Sequence, residues 1–590
     1  MHLPRHFRII ILLVIIPVTL TSQNTPSDRA GGPAEILTAD DVRAVLTVAA
    51  TALGNDTLAA AVVDRTGNIL GVYSRPQADE PTPDVAVTLA RTGAMFANDQ
   101  APLSSRTVRF ISGIHYPPGV QNTPNAALYG VENINRGCKV DQLGDAVFNA
   151  AFPRPKSIAG VFGDGAGGAP LPCEPSATRG CARGGPMLDD AGEPLSSVGI
   201  TTGKADVFDT GQDDLNAVPV NPGGIPIYRG GKVIGGVGVA GVSANFAEYA
   251  ATLAAAGAGR GMDFSEPLGP PGAVYVDGIR LPFFGACTNI ACIRRTLRGR
   301  PAGSAPGQVS SGRFSIEARG GLQAPEGYVL GPRGSTVAGG LTVDEVRQII
   351  DRSVDVAFRT RAMIRLPINQ PARMTIGISD ETGAILALYR MPDGTVFSSD
   401  VAMTKARNAY YFSTREGYEA LRTIAQNSAR EKYTWTPDPP PGRGWAITAR
   451  TISFAGQPLF PPGIDRAEEL EERDDHPRPG PWFDLYLYDT KNPCTEGPGA
   501  SRGGNRAYLN QSGIVWFPGS VPLYRGGRPI GGLGVSGDGV EQDDYVSQLG
   551  SEGFHPPDEL RVDNSVMVDS SGRSVRLPYL KLPRNPEIQR

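Results

Sequence analysis

Residues 223–241 read GGIPIYRGGKVIGGVGVAG, and residues 519–537 read GSVPLYRGGRPIGGLGVSG. The two stretches align without a gap, about 300 residues apart. In each, apolar residues flank an Arg-Gly-Gly turn, where glycine supplies the positive φ that a tight hairpin needs. Self-similarity of this kind marks an internal repeat, which has to be read before any local motif. The chain is expected to hold two copies of one module.

Matching segments extend outward from the hairpin. Leu37-Thr38-Ala39-Asp40-Asp41-Val42-Arg43 returns as Leu341-Thr342-Val343-Asp344-Glu345-Val346-Arg347. In both, Thr is a good helix N-cap, and acidic residues in the first turn suit the helix dipole. A strand–turn–strand follows in each copy, its turn opened by Asp64 or Asp380 and closed by Gly67 or Gly383, which is hairpin chemistry. Next come helices over residues 83–98 and 399–413, then the stretches Arg106-Thr107-Val108-Arg109-Phe110 and Arg450-Thr451-Ile452-Ser453-Phe454, read as strands. Past the glycine hairpin, helices over 245–256 and 541–549 lead to closing strand pairs near 273–282 and 566–578. Antiparallel hairpins with helices to cover a face make an α+β module.

The expected organisation is a signal peptide over 1–22, a first module over 35–299, a linker over 300–340 rich in Gly, Pro and Ser, and a second module over 341–590. Long polar insertions, about 121–216 and 465–512, interrupt the modules and exceed ordinary connections. Arg5 and Arg8 precede the apolar run 9–20, which is shorter than the roughly 20 residues that span a bilayer, so cleavage and export to the periplasm or the exterior are expected, with no stable membrane span afterwards. A net charge of −4 offers no basic field for nucleic acid. The six cysteines, Cys138, Cys173, Cys181, Cys287, Cys292 and Cys494, permit disulfides in an exported chain. Cys173/Cys181 and Cys287/Cys292 are the local pairings, free thiols are the alternative, and no zinc spacing occurs.

Gly236-Val237-Gly238-Val239-Ala240-Gly241 and Gly532-Leu533-Gly534-Val535-Ser536-Gly537 satisfy the G-x-G-x-x-G pattern. The dinucleotide fingerprint belongs to the first turn of a parallel βαβ unit, whereas here the preceding strand is the second arm of a hairpin. Two other readings stand. The glycines admit close backbone approach, or the turn holding Ser536, Gly537 and Gly539, with Gly241 in the first copy, offers helix N-terminal amides to an anionic ligand.

The leading L-T-x-D/E-D/E-V-R helix, the D-x-x-G hairpin, the A-x-x-x-A-R helix and the glycine hairpin together resemble the GlcG/HbpS-like haem-degrading domain family. The second copy is closer, through Lys405-Ala406-Arg407 and the run Glu541-Gln542-Asp543-Asp544; the first has Leu89-Ala90-Arg91 and Asn245-Phe246-Ala247-Glu248 instead. The resemblance covers both modules but not the insertions or the linker. It implies an α+β fold of two profilin-like α/β/α modules, each a central antiparallel sheet with flanking helices, and an oligomer-forming protein with haem or a related tetrapyrrole as ligand in some members.

The residues themselves add little to haem. Iron takes His, Met, Tyr or Cys, and of the five histidines His115 is the best placed, while no C-x-x-C-H site occurs. Arg106 and Arg450 recur and could pair a ligand carboxylate; a structural ion pair is the plainer reading of both. No nucleophile elbow, H-E-x-x-H or phosphate loop is present. The leading expectation is an exported binding protein for haem or a related small ligand, more a binder than an enzyme. Its rivals are an oxidative haem-degrading or redox enzyme and a non-catalytic scaffold acting through its insertions.

Overall fold

Helix α1 (Ala39–Ala52) and helix α6 (Val343–Arg359) start where the repeated leader places them. Thr38 Oγ1 accepts the Asp41 amide at 3.2 Å and Asp41 Oδ2 accepts the Thr38 amide at 2.9 Å. Thr342 and Glu345 repeat this capping box at 3.3 and 2.8 Å, so two orphan donors are satisfied at each helix start. The structure is a computed structural model that describes residues 35–78, 82–112, 128–131, 134–135, 187–188, 194–195, 222–265, 274–276, 279–285, 287, 289–457, 460–461, 479–491 and 512–589.

The first half continues through β1 (Ala59–Asp64), β2 (Ile69–Ser74), α2 (Thr82–Phe96), α3 (Ser105–Ile111), β3 (Gly224–Arg229), β4 (Lys232–Ala240), α4 (Ala244–Gly257), β5 (Met262–Asp263), β6 (Val274–Val276), β7 (Ile279–Leu281), α5 (Ile290–Arg298) and β8 (Arg313–Ile316). The second has β9 (Gly327–Leu330), α6, β10 (Thr375–Asp380), β11 (Ile385–Arg390), α7 (Ser398–Phe412), α8 (Arg415–Asn427), β12 (Tyr433–Thr436), α9 (Ala449–Ala455), α10 (Phe483–Lys491), β13 (Ser520–Arg525), β14 (Arg528–Ser536), α11 (Val540–Gly550), β15 (Val566–Asp569) and β16 (Ser574–Arg576). The main sheets run β8-β2-β1-β4-β3-β5 and β9-β11-β10-β14-β13, with every adjacent pair antiparallel. Their registers correspond: Ala59 faces Ala240 and Asp64 faces Gly235, while Thr375 faces Ser536 and Asp380 faces Gly531.

Strand β1 is buried along its whole length. Ala60 and Val62 join the core under α1 and α4, and Ala59, Ala61 and Val63 join the one under α2. Alternate residues point to opposite faces of a strand, so helices cover both faces of this sheet. The paired glycines of the hairpin set how close α2 and α7 come. A Cβ on Gly238 would lie 2.0 Å from the Ala86 carbonyl, and one on Gly534 would lie 2.0 Å from the Ala402 carbonyl. The G-x-G pattern is therefore a helix-packing surface inside an antiparallel sheet.

Two expectations change. The stretches at Arg106 and Arg450 are helices, not strands. Ser104 Oγ caps α3 by accepting the Thr107 amide at 3.3 Å, and Thr448 Oγ1 caps α9 by accepting the Thr451 amide at 3.2 Å. β-Branched residues suggest a strand, but a hydroxyl cap with Val108 and Ile111 buried three apart settles the helix. The segment over 300–340 is not a bare connection either. It supplies β8 to the edge of the first sheet and β9 to the edge of the second, covering backbone groups an open edge would leave unpaired.

Residues Gly31–Arg590 form one unit. A shared core joins its halves: Met95, Phe96, Leu103 and Val108 of the first pack with Leu388, Phe397, Val401 and Phe517 of the second. Phe96 and Phe397 stack with ring centroids 4.1 Å apart, an aromatic pair contributing about 0.5–1.5 kcal/mol beyond its burial. The Val396 amide donates to the Met95 carbonyl at 3.1 Å across the same seam. The sulfurs of Cys287 and Cys292 lie within bonding distance; the other four cysteines lie outside the described residues. No helix among the described residues is long and apolar enough to cross a membrane.

Candidate functional site

Features that both halves share are explained by the fold, and the arginines belong to them. Arg106 grips Glu248 with two hydrogen bonds, Nε to Oε1 at 2.6 Å and Nη2 to Oε2 at 2.9 Å, and Glu248 also accepts the Gly285 amide at 2.8 Å. Arg450 Nε binds Asp544 Oδ2, which also accepts the Lys581 amide at 3.1 Å. Beside these pairs, Thr107 Oγ1 donates to the Pro282 carbonyl at 3.0 Å and Thr451 Oγ1 to the Pro578 carbonyl at 2.7 Å. Each arginine thus locks a helix start to the closing segment of its own half. Burial pushes the Asp544 carboxyl up and Arg450 opposes the rise. Both guanidinium groups are held in internal ion pairs.

A buried lysine–aspartate pair in the second half has no counterpart at the matching positions of the first. Helix α7 packs against β14 and is buried at almost every position, Lys405 included. Lys405 Nζ donates to the Val535 carbonyl at 2.9 Å and to Asp543 Oδ2 at 3.0 Å, with the Phe517 ring centroid at 4.9 Å. A Cβ on Gly519 would fall 2.6 Å from Lys405 Nζ and 2.6 Å from Asp543 Cβ. At the corresponding Gly223 the neighbours are Ala247 Cβ at 3.1 Å and Leu89 Cδ1 at 3.4 Å. Lys405 and Asp543 thus replace Leu89 and Ala247 as a unit.

The pair sits among further buried polar groups. Burial raises the Asp543 carboxyl to about 7; Lys405 opposes the rise, and Asp544 and Asp538 add to it. Burial lowers the Lys405 ammonium, with Asp543 opposing. Among the described residues, Oδ1 of Asp538, Asp543 and Asp544 has no hydrogen-bond partner. Buried polar atoms are nearly always satisfied, so this corner holds hydrogen-bonding capacity that the fold does not use.

The residues expected in the glycine turn border this corner. Ser536 is buried, its Oγ donating to Ser398 Oγ at 3.0 Å. Gly537 leaves no room for a side chain, since a Cβ would lie 2.4 Å from the Arg373 carbonyl. Gly539, at φ +147°, is the N-cap of α11. Gly241, at φ +82°, is required because a Cβ there would sit 1.9 Å from the Thr57 carbonyl. In the second half the turn also carries a buried carboxylate of its own, Asp538, bound by Arg365 and by the Arg373 amide at 2.7 Å. His115 lies outside the described residues. Lys405, Asp543, Asp538 and Arg365 were not singled out from the sequence as site residues. The signal for the first two was their joint departure from Leu89 and Ala247.

The donor set bears on haem. Among the described residues the corner presents an ammonium, hydroxyls and carboxylates, and Met374 and Met363 pack against Gly537 and Gly539 of the turn; iron takes His, Met, Tyr or Cys. The described histidine, His555, is exposed and has Nε2 2.8 Å from the Gln548 carbonyl. The unpartnered carboxylate oxygens are acceptors and suit a ligand that donates hydrogen bonds, and no step through iron is derived. An open groove of about 580 Å³ lined by Pro437, Asp438, Pro440, Trp445, Asp558 and Glu559 shares no residue with the corner.

Comparison with known proteins bears on the second half. Residues 483–552, from α10 to the end of α11, match the family model described as "Haem degrading protein HbpS-like". Among solved structures, the PduOC:heme complex is 19% identical, matching 36% of this chain and 95% of that chain with a TM-score of 0.19. The Klebsiella pneumoniae protein ORFY, of family model DUF336, is 17% identical, matching 36% of this chain and 88% of that chain with a TM-score of 0.18. No curated protein matches the chain.

Proposed function

We propose that the chain is an exported binding protein for haem or a related small ligand, built from two copies of one module, and that the second copy carries the binding centre. The observation that carries the reading is the Lys405–Asp543 pair, which the first half replaces with Leu89 and Ala247. A buried ion pair is costly to desolvate and is often replaced by apolar residues without loss of stability. Its retention beside unsatisfied polar atoms, within reach of the turn at Ser536, fits a role outside folding. The segment that matches a haem-degrading family contributes Ser536, Asp538, Asp543 and Asp544 to that corner. Haem is favoured over other ligands by that match. Export follows from the expected signal over residues 1–22.

Titration of the purified full chain with hemin tests the reading. A saturable Soret shift is expected, and it should disappear in Lys405→Leu/Asp543→Ala, which reproduces the first half's own side chains. Absence of a Soret shift and of saturable binding at micromolar hemin in the wild type would remove the haem reading.

A further inference from the structure

Arg365 lies in the connection between α6 and β10, with its side chain wholly buried. Its Nε binds Asp538 in the turn after β14. The rest of the guanidinium faces the seam between the halves. Nη2 donates to the Asp393 carbonyl at 2.7 Å, and Nη1 donates to Asp393 Oδ2 at 2.5 Å and to Gln100 Oε1 of the first half at 3.1 Å. Asp393 Oδ1 accepts the amide of Asp99, also of the first half, at 3.0 Å. The Asp99 carboxylate in turn accepts the Val233 amide at 3.0 Å and Lys232 Nζ at 2.6 Å, at the turn of the first glycine hairpin. Hydrogen bonds therefore run unbroken from the first copy of the repeated hairpin, through Asp99, Asp393 and Arg365, to Asp538 at the end of the second copy. The first half has no such arm, because Val242 occupies the place of Asp538.

We infer that Arg365 is a positioning residue through which the first half sets the geometry of the turn at Ser536–Gly539 and thereby the ligand affinity of the second half. The inference rests on the proposed ligand site. A guanidinium offers a rigid planar fork, so its partners fix one another's positions. Groups in one buried network respond together when a member is changed. The half that lost the charge pair is thus retained as the support of the half that kept it.

The test uses the full chain with Gln100→Ala and Asp393→Asn. Asp393 sits at φ +59°, a left-handed conformation that Asn tolerates, so this substitution keeps the turn while removing the charge opposite Arg365. Hydrogen exchange of the amides at 537–543 is read without ligand, and hemin affinity is read separately. Exchange is expected to rise about tenfold and affinity to fall about fivefold or more, within the usual range of coupling between linked sites. Gln100→Glu, which keeps an acceptor opposite Arg365, should restore both. Unchanged exchange at the turn, with only the unfolding midpoint lowered, would overturn the inference, and so would faster exchange with unchanged affinity. If the wild type binds no hemin, the ligand reading fails by itself, and the affinity claim built on it falls, while exchange still decides whether the first half holds the turn.

Discussion

Lys405 Nζ lies 3.0 Å from Asp543 Oδ2 with both side chains buried, where the first half has Leu89 and Ala247 beside Gly223. The two halves thus run an internal comparison. Both keep the arginine–carboxylate clamp, so the fold needs it. Only one keeps the lysine–aspartate pair, so the fold does not.

Stability measurements on variants of this pair should show strong coupling. Asp543→Ala alone leaves a buried ammonium without its counter-ion and is expected to cost about 3–5 kcal/mol, whereas Lys405→Leu/Asp543→Ala should lie close to the wild type. Urea unfolding of the two singles and the double gives the coupling energy directly. Additive losses would mean that the second half cannot accept the first half's solution.

Stability should also depend on pH through Asp543. Its carboxyl titrates at about 7 in the folded protein and at 3.8 ordinarily. Between those values the folded state holds the extra proton, so the group's stabilising contribution is full below about pH 4 and is lost as the pH rises to about 7. The unfolding free energy of the wild type minus that of Asp543→Asn should therefore fall across this window and level off above it. A difference that is flat from pH 4 to 8 would contradict the assigned environment.

The sequence made the order of helices and hairpins in each half legible, because the matching segments display most signals twice. Thr38 and Thr342 cap helices as read, and Asp64 and Asp380 open their turns, accepting the Thr66 and Thr382 amides at 2.9 and 2.8 Å. The starts of α3 and α9 were misread because β-branched residues at Thr107, Val108, Thr451 and Ile452 outweighed a cap one residue upstream. The pairing of Lys405 with Asp543 was not legible, since the residues are far apart in the chain and meet only when α7 crosses β14. Gly519 closes that meeting point, and its close approach to both side chains is a tertiary fact with no local pattern.

Removing the arginine of the shared clamp should affect stability and not ligand affinity. Arg450→Met leaves Asp544 buried without its counter-charge, with an expected cost of about 3–5 kcal/mol, and Arg106→Met should do the same to Glu248. Urea unfolding and hemin titration of the folded fraction separate the two effects. A loss of affinity with stability intact would return Arg450 to the role of ligand clamp.

The glycines of the repeated hairpin should be intolerant of the smallest side chain. Gly534→Ala places a methyl group 2.0 Å from the Ala402 carbonyl and 2.6 Å from the Ala406 amide nitrogen, both backbone atoms of α7. They cannot rotate away, so α7 must lift off β14. Overpacking of a close contact costs about 1–3 kcal/mol, and more where the neighbour is rigid. Gly238→Ala meets the Ala86 carbonyl at the same distance in the first half and should cost as much. Gly526→Ala is the control for positive φ without crowding: it sits at φ +57° in the Arg-Gly-Gly turn with open space around it, so it bears only the backbone strain of about 1–2 kcal/mol. Thermal unfolding of the three variants should rank Gly526→Ala as the mildest. If Gly534→Ala proves the mildest instead, the contact between α7 and β14 is not the reason these glycines recur.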